Sequence, residues 1–366
     1  MLIPDIPKMT LSNNIRVIMN SVVDITILIC TYNSSSRLEK TLNHIKKQVN
    51  VENINFEVLI VDYKSIDDTL GEAKKIWGDH HIPLRLISEK LPGKTPALET
   101  GFIEAKGMGV CIVDDDNWIN DDYVFLANKI LKENLDVGVV GAFGLAHCEV
   151  APPDWFVENQ ASYAVGSQGN GSGYVTNINR MWVWGAGSVF RKAAWISAKD
   201  RGFVPLLNPF RGVGSFKFQK GFAGGEDSEL CYAIQLAGYR LWYEPSLVYT
   251  HYIPTARLTK EYLNLTNSGT QAAAPIVRLY LSELTQRSTV GKFRKFIYQR
   301  WLLHFLYTLF IYKKSIMSTF FSGLKDKPLR LSVVNKTYIA QLKMLYSLRS
   351  DFSSIVISIQ KLASKK

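Results

Sequence analysis

The chain has 366 residues, 47% of them apolar and 12% aromatic, enough to bury the core of one large domain or two ordinary ones. Its net charge of +11 is uneven: residues 290–366 hold 15 Lys or Arg against Asp326 and Asp351, a net +13 that leaves −2 for residues 1–289. The four cysteines (Cys30, Cys111, Cys148 and Cys231) are far apart with no C-x-x-C spacing. That argues against a disulfide framework or a zinc site and fits a reducing compartment.

Residues 1–21 read as an N-terminal extension, without the basic start and long apolar stretch of a secretory leader. From about 24 to 141 two patterns alternate. "DITILIC" (24–30), "FEVLIVD" (56–62), "PLRLIS" (83–88), "GVCIVD" (109–114) and "DVGVVGA" (136–142) are short, nearly continuous apolar runs, the pattern of strands covered on both faces. Between them lie amphipathic stretches such as "SSSRLEKTLNHIKKQ", "DDTLGEAKKIW", "GKTPALETGFIEAKG" and "NDDYVFLANKILKEN". The alternation predicts right-handed βαβ units and an α/β fold with a mainly parallel sheet, whose ligands bind at the carboxyl ends of the strands. "TYN" (31–33), Asp62 and Asp114–Asp116 all fall at such ends.

Residues 150–255 turn rich in Gly, Trp and Tyr, a composition suited to a cleft floor on which sugar rings stack. "SELCYAIQLAG" (228–238) predicts a helix closed by Gly238, and "RLWYEPSLVYTHY" one or two strands. From about 270 the chain is basic and helix-like. Its most apolar part, "WLLHFLYTLFIY" (301–312), is 12 residues long, too short for a bilayer that needs roughly 20. Two readings stay open, a helix packed on the body or one lying on an anionic membrane surface. No nucleic-acid motif accompanies the charge, and nucleic acid is not an expected partner.

Three consecutive carboxylates close the fourth predicted strand. In an extended segment Asp114 and Asp116 would share a side and attract a divalent cation, able to bridge diphosphate oxygens. The competing reading is a solvated cap, a role that Asn120 or Asp121 could fill unaided. A second acidic pair, Glu226-Asp227, follows Gly224-Gly225 at a predicted helix start, either as ordinary first-turn acids or with one as a general base. His251 precedes Arg257, and a cation or diphosphate could lie between them. "LPGKTPAL" (91–98) lacks the first Gly of a phosphate loop, Ser88 standing there, though Lys94 could still approach a phosphate.

These residues together, T-Y-N, V-D, G-x-x-x-A-L-x-x-G-F, D-D-D, W-G-A-G, G-G-E-D and His in that order, resemble family 2 glycosyltransferases over about 22–260. The resemblance implies an inverting, metal-dependent enzyme with a GT-A fold over 22–265: a nucleotide-binding half (22–150), an acceptor half (151–265) and a basic, mostly helical region (266–366) beyond. It implies that Thr31, Tyr32, Asn33, Asp62, Lys94, Asp114 and Asp115 hold the nucleotide. Asp116, with Asp114 and His251, would hold Mn²⁺ or Mg²⁺. Asp227, paired with Glu226, would be the base, and Trp182, Trp184, Gly185, Gly225 and Arg257 would line the sugar and acceptor side. The expected partners are a nucleotide sugar, foremost a UDP-sugar, and a glycan or lipid-linked acceptor. The expected location is cytoplasmic, peripheral on the inner face of the cytoplasmic membrane.

Two departures from the family pattern stand out. "VDYKS" (61–65) replaces V-D-D-G-S, and "ALE" (97–99) replaces Ala-Arg-Asn, leaving Lys94 as the nearest basic substitute. A nucleotidyltransferase is disfavoured because "TYNSSSRLEK" lacks a Gly-rich triphosphate loop. The remaining alternative is an inactive sugar-nucleotide scaffold or sensor at the membrane.

Overall fold

The computed structural model describes residues 23–177, 181–207, 224–286, 288–323 and 327–364. The expected extension at 1–21 lies outside these residues, as does most of "FKFQKGFAGG" (216–225). The expected alternation is present. Strands β1 (Ile25–Thr31), β2 (Phe56–Asp62), β3 (Leu84–Ser88) and β4 (Gly109–Ile112) pair in parallel, with α1 (Leu38–Lys46), α2 (Thr69–Trp77) and α3 (Lys94–Glu104) as crossovers. They lie in the order β3-β2-β1-β4, so the direction of growth reverses beside β1 and opens a crevice above the ends of β1 and β4.

The alternate residues of β1 explain the two-sided covering. Ile25, Ile27 and Ile29 pack in one core with Leu38, Leu42 and Ile45 of α1, Trp77 of α2, and Tyr123 and Val124 of α4 (Tyr123–Glu133). Leu28 and Cys30 point the other way, into a core with Phe102 of α3, Trp195 of α6 (Lys192–Asp200) and Ile234 of α7 (Glu226–Leu236). Phe102 and Trp195 stack with ring centroids 5.2 Å apart, a contact of about 0.5–1.5 kcal/mol beyond its buried area. The four cysteines are all free thiols, three of them buried.

The second half of the sheet mixes directions. Strand β8 (Val189–Arg191) runs antiparallel to both β4 and β6 (Val137–Cys148). The predicted one or two strands at 240–253 form a single strand, β9 (Arg240–Ile253), parallel to β6. Strands β5 (Asn117–Ile119) and β7 (Gly173–Tyr174) add to β9 antiparallel. In β5–β9, Asn117 is opposite His251, which carries the His251 region to the triple aspartate. A short helix, α5 (Phe156–Asn159), follows β6. The expected side-chain cap of α4 is not made; Gln48 Oε1 instead accepts from the Val124 N–H at 2.8 Å.

The C-terminal helices are α8 (Lys260–Ala272), α9 (Ala274–Leu284), α10 (Thr289–Tyr298), α11 (Trp301–Phe321), α12 (Lys327–Ser347) and α13 (Phe352–Ser364). They are not an appendage. Tyr232 and Ala233 of α7 share one core with Ile276 and Leu279 of α9 and Phe352, Ile355 and Ile359 of α13. The expected boundary after residue 265 therefore falls inside α8. No described helix is long and apolar enough to cross a membrane.

His304 of α11 is buried in this helical layer, its Nδ1–H donating to the Tyr298 carbonyl at 3.1 Å and its Nε2 without a partner among the described residues. Burial first, then the Arg278 charge, pushes its pKa from 6.5 to about 3. The unfolded chain takes up a proton below pH 6.5 that the folded chain refuses. Stability from this site is therefore complete above pH 6.5 and is lost as pH falls toward 3, at about 1.4 kcal/mol per pH unit. Urea titrations between pH 7 and pH 5 should show His304→Gln with a pH dependence shallower than wild type by about that slope. Identical slopes would contradict a neutral buried ring.

Candidate functional site

The triple aspartate does not continue β4 in extended form. The Asn117 N–H donates to the Asp114 carbonyl at 2.9 Å, closing a turn that sends the three carboxylates in three directions. Asp114 forms an ion pair with Lys94. Asp115 turns back under β1, accepting from Thr31 Oγ1 at 2.8 Å, from Ser34 Oγ, and from Arg37 Nε and Nη2 at 3.0 Å each. Asp116 accepts from Arg257 Nη1 at 3.0 Å and stands 3.7 Å from His251 Nε2. The expectation that Asp114 and Asp116 share one side is thus corrected. Asp114 is paired with Lys94, and Asp115 anchors the β1–α1 loop.

Lys94 is the first residue of α3, after Gly93 at φ 104°. Burial disfavours its charge, but Asp114 beside it prevails, and its pKa stands well above the ordinary lysine value. Burial likewise opposes ionisation of Asp116. His251, Arg257 and Lys94 outweigh it and hold that carboxyl well below the usual range. The His251 Nδ1–H donates to the Tyr163 carbonyl at 2.7 Å, which turns Nε2 toward Asp116 and Arg257 Nη1, the latter 3.2 Å away.

Around the ends of β1 and β2, Asn33 sits at φ 49°, accepts from the Ile66 N–H at 2.9 Å, and donates its own N–H to Ser65 Oγ at 2.8 Å. Asp62 accepts from Ser65 Oγ and from the Ser65 N–H at 3.3 Å. Asn33 and Asp62 thus join the two loops. Tyr32 is exposed and stacks on Tyr63, centroids 5.6 Å apart and planes 13° from parallel. Tyr63, the departure noted in "VDYKS", supplies the second ring.

The acidic pair opens α7, as the sequence predicts. Gly225, at φ 99°, is the N-cap, and a Cβ there would stand 2.6 Å from Ala273 Cβ. Asp227 Oδ2 accepts from the Gly185 N–H at 3.1 Å and Oδ1 from the Ser228 N–H at 2.7 Å, so both oxygens are oriented. A Cβ on Gly185 would meet Asp227 Cβ at 3.3 Å, close to the limit of ordinary contact. Burial raises the Asp227 pKa. Glu226 is pushed up to about 7 by burial and by the Asp227 charge, and its Oε2 is screened from solvent without a partner among the described residues.

Lys94, Asp114, Glu226 and Asp227 line one cavity of about 440 Å³ with Trp182, Trp184, Gly185 and Gly225. Of the expected sugar-side residues, Arg257 is not on this wall; it lies against Asp116. Asn267, Thr270 and Gln271 of α8 close the far side. Their part, and that of Arg37, had no motif to reveal it. Glu229 was also unanticipated. Buried and with its pKa raised to about 7 by burial, it accepts from the Leu206 and Leu207 N–H groups at 2.9 Å and from Tyr280 Oη at 2.9 Å. It thereby ties α7 to α9 and to the 203–207 segment.

Among the described residues no three His, Cys, Asp or Glu cluster as a metal site. Asp116 Oδ2 and His251 Nε2 nevertheless stand 3.7 Å apart, a carboxylate that suits Mn²⁺ or Mg²⁺ and an imidazole that suits Mn²⁺ better than Mg²⁺. Such an ion takes most of its remaining ligands from water and phosphate oxygens, and Arg257 would have to release Asp116 to admit it.

Residues 26–170 match the family model described as glycosyl transferase family 2. Glycosyltransferase GlyA of Streptococcus pneumoniae serotype 4 is 32% identical over 116 residues, 31% of this chain and 16% of that protein. Poly(ribitol-phosphate) beta-N-acetylglucosaminyltransferase TarS of Staphylococcus aureus is 27% identical over 109 residues, 30% of this chain and 19% of that protein. The matches thus span less than a fifth of either relative. Among solved structures, S. aureus TarS 1-349 overlays with a TM-score of 0.48 and 16% identity, covering 90% of this chain and 92% of the other. Mannosyltransferase PcManGT from Pyrobaculum calidifontis, in complex with GDP-Man and Mn²⁺, overlays with a TM-score of 0.47 and 18% identity, covering 93% and 86%. Overlays this loose carry no assignment.

The Glu226 environment has a measurable cost. A carboxyl that ionises near pH 4.5 when unfolded and about 7 when folded destabilises the native state progressively as pH rises between those values. Glu226→Gln should leave stability unchanged near pH 4 and raise it by about 1–3 kcal/mol at pH 8, read from denaturant midpoints. A variant destabilised at pH 8 would show that the carboxylate is well paired.

Proposed function

We propose that this chain, whose residues 26–170 match the glycosyl transferase family 2 model, is a nucleotide-sugar-dependent glycosyltransferase that inverts the anomeric centre. The observation that carries the reading is the meeting, on one cavity, of the Lys94–Asp114 pair with Glu226–Asp227. A site that only bound sugar nucleotide would gain nothing from two adjacent carboxyls whose ionisation burial opposes, one with an unpaired oxygen among the described residues, so the scaffold alternative is disfavoured.

The nucleoside would lie over the ends of β1 and β2, its base against the exposed Tyr32 ring and its polar edge toward Asp62. Lys94 and Arg257 flank the place where the diphosphate would rest, and each would exchange a carboxylate partner for phosphate oxygens. A Mn²⁺ or Mg²⁺ there, held by Asp116 and His251, would stabilise the charge gathering on the leaving diphosphate. The donor is a UDP-sugar, in keeping with the N-acetylglucosaminyl transfer in the name of TarS. Trp182 and Trp184 would flank the sugar and the acceptor.

Asp227 takes the acceptor hydroxyl proton as that oxygen bonds to the anomeric carbon and the nucleoside diphosphate departs from the opposite face. Its two backbone N–H contacts fix the carboxylate without neutralising it. The acceptor is a glycan or a lipid-linked glycan. The basic C-terminal region would bring the enzyme to an anionic membrane, at the inner face of the cytoplasmic membrane.

A base of this kind contributes about 10²–10⁴-fold. Nucleoside diphosphate release from a UDP-sugar panel should fall by that factor in Asp227→Asn, while calorimetric donor affinity stays within about twofold of wild type. Loss of donor affinity equal to the loss of turnover would remove Asp227 from the proton-transfer role.

A further inference from the structure

The membrane part of this reading can be given a surface. Helix α11 buries His304, Thr308 and Thr319 along one side. Its opposite side carries Leu302, Leu306, Phe310, Met317 and Phe321, which recur at helical spacing and are between 49% and 85% exposed. An outward helix face is ordinarily polar. Here the polar groups within the stripe are Lys313 and Lys314, both exposed, and α10 before it adds exposed Phe293 and Lys292. Neither α10 nor α11 contains an acidic residue. The Lys pair also interrupts the apolar run, so α11 is not a spanning helix.

We propose that the outer face of α11 docks in the plane of an anionic lipid surface, its apolar side chains entering the acyl boundary and Lys313 and Lys314 meeting the headgroups. Aromatic and aliphatic side chains beside lysines with no acidic partner among the described residues are the chemistry of an interfacial helix. A second copy of the chain fits this face poorly. It would bring two Lys313-Lys314 pairs together in a region that already carries +13 over residues 290–366, and lysine is depleted from the centres of protein interfaces. The inference rests on the membrane-surface reading above and is independent of the transfer chemistry.

Flotation with vesicles of 70:30 phosphatidylcholine and phosphatidylglycerol, against pure phosphatidylcholine, tests it on the full chain. Wild type should bind the anionic vesicles on the order of tenfold or more tightly, with binding weakened by 0.5 M salt. Leu306→Glu/Phe310→Glu and, separately, Lys313→Gln/Lys314→Gln should each lose on the order of tenfold, with UDP, GDP or dTDP binding as in wild type. Equal partition into both vesicle types, or no binding to either, overturns the proposal using wild type alone, whatever the variants do. A wild-type dimer in sedimentation that dissociates in the Glu variant, without vesicle binding, reassigns the face to self-association. Vesicle binding by a protein that binds no nucleotide would leave the docking face standing and remove the transferase reading.

Discussion

Three adjacent carboxylates, each matched to a cation from a different part of the chain, are the constraint around which the site is arranged. Like charges about 4 Å apart repel by roughly 4 kcal/mol at the effective dielectric of a protein surface, so Asp114–Asp116 would be an unstable strand end if left alone. Lys94 from the start of α3, Arg37 from the β1–α1 loop, and Arg257 with His251 from beyond β9 offset that repulsion one carboxylate at a time. The turn closed by Asn117 separates the side chains so that each reaches its own partner. Surface ion pairs contribute little, but Asp115 and Asp116 are largely buried, and losing one partner there would strand a charge.

The three pairs differ in what they leave available. Asp115 is bound by four donors from two side-chain hydroxyls and one guanidinium, and it acts as a fixed anchor joining β1 to β4. Asp114–Lys94 and Asp116–Arg257 are single contacts at the cavity and beside it, which an anionic ligand or a cation could redistribute. Across the cavity the acid pair has no cation in direct contact among the described residues, only the Lys94 charge at a distance. Asp227 is held by two backbone N–H groups and Glu226 by its own backbone N–H alone, and burial raises both pKa values. One wall of the site is thus electrostatically settled and the other is held in a costly state. The packing of α7, α8 and α9 maintains that state, with Gly225 pressed against Ala273 and Glu229 bonded to Tyr280.

Much of this was legible in the sequence. The continuous apolar runs marked β1, β2, β3 and β4, because parallel strands covered on both faces need no alternation, and Gly224-Gly225 marked the start of α7. Pairings across long stretches of chain were not legible. Arg257 meets Asp116 over 141 positions, and no local pattern distinguishes it from other arginines. The Asp114–Asn117 turn was hidden because an apolar run followed by acids reads as a continuing strand. The contribution of α8 to the cavity was hidden because its polar residues look like an ordinary solvated helix face. Of the C-terminal region's two readings, packing on the body is seen in one side of α11, whose other, apolar side faces outward.

The central claim is that the carboxylates and cations at the end of β4 form a nucleoside diphosphate site. Calorimetric titration of UDP, GDP and dTDP, with and without Mn²⁺, into wild type and Asp116→Ala tests it most directly. The account predicts that one nucleotide binds, more tightly with Mn²⁺, and that Asp116→Ala abolishes the metal-dependent part. Failure of all three to bind wild type, or binding that Asp116→Ala leaves untouched, would contradict it.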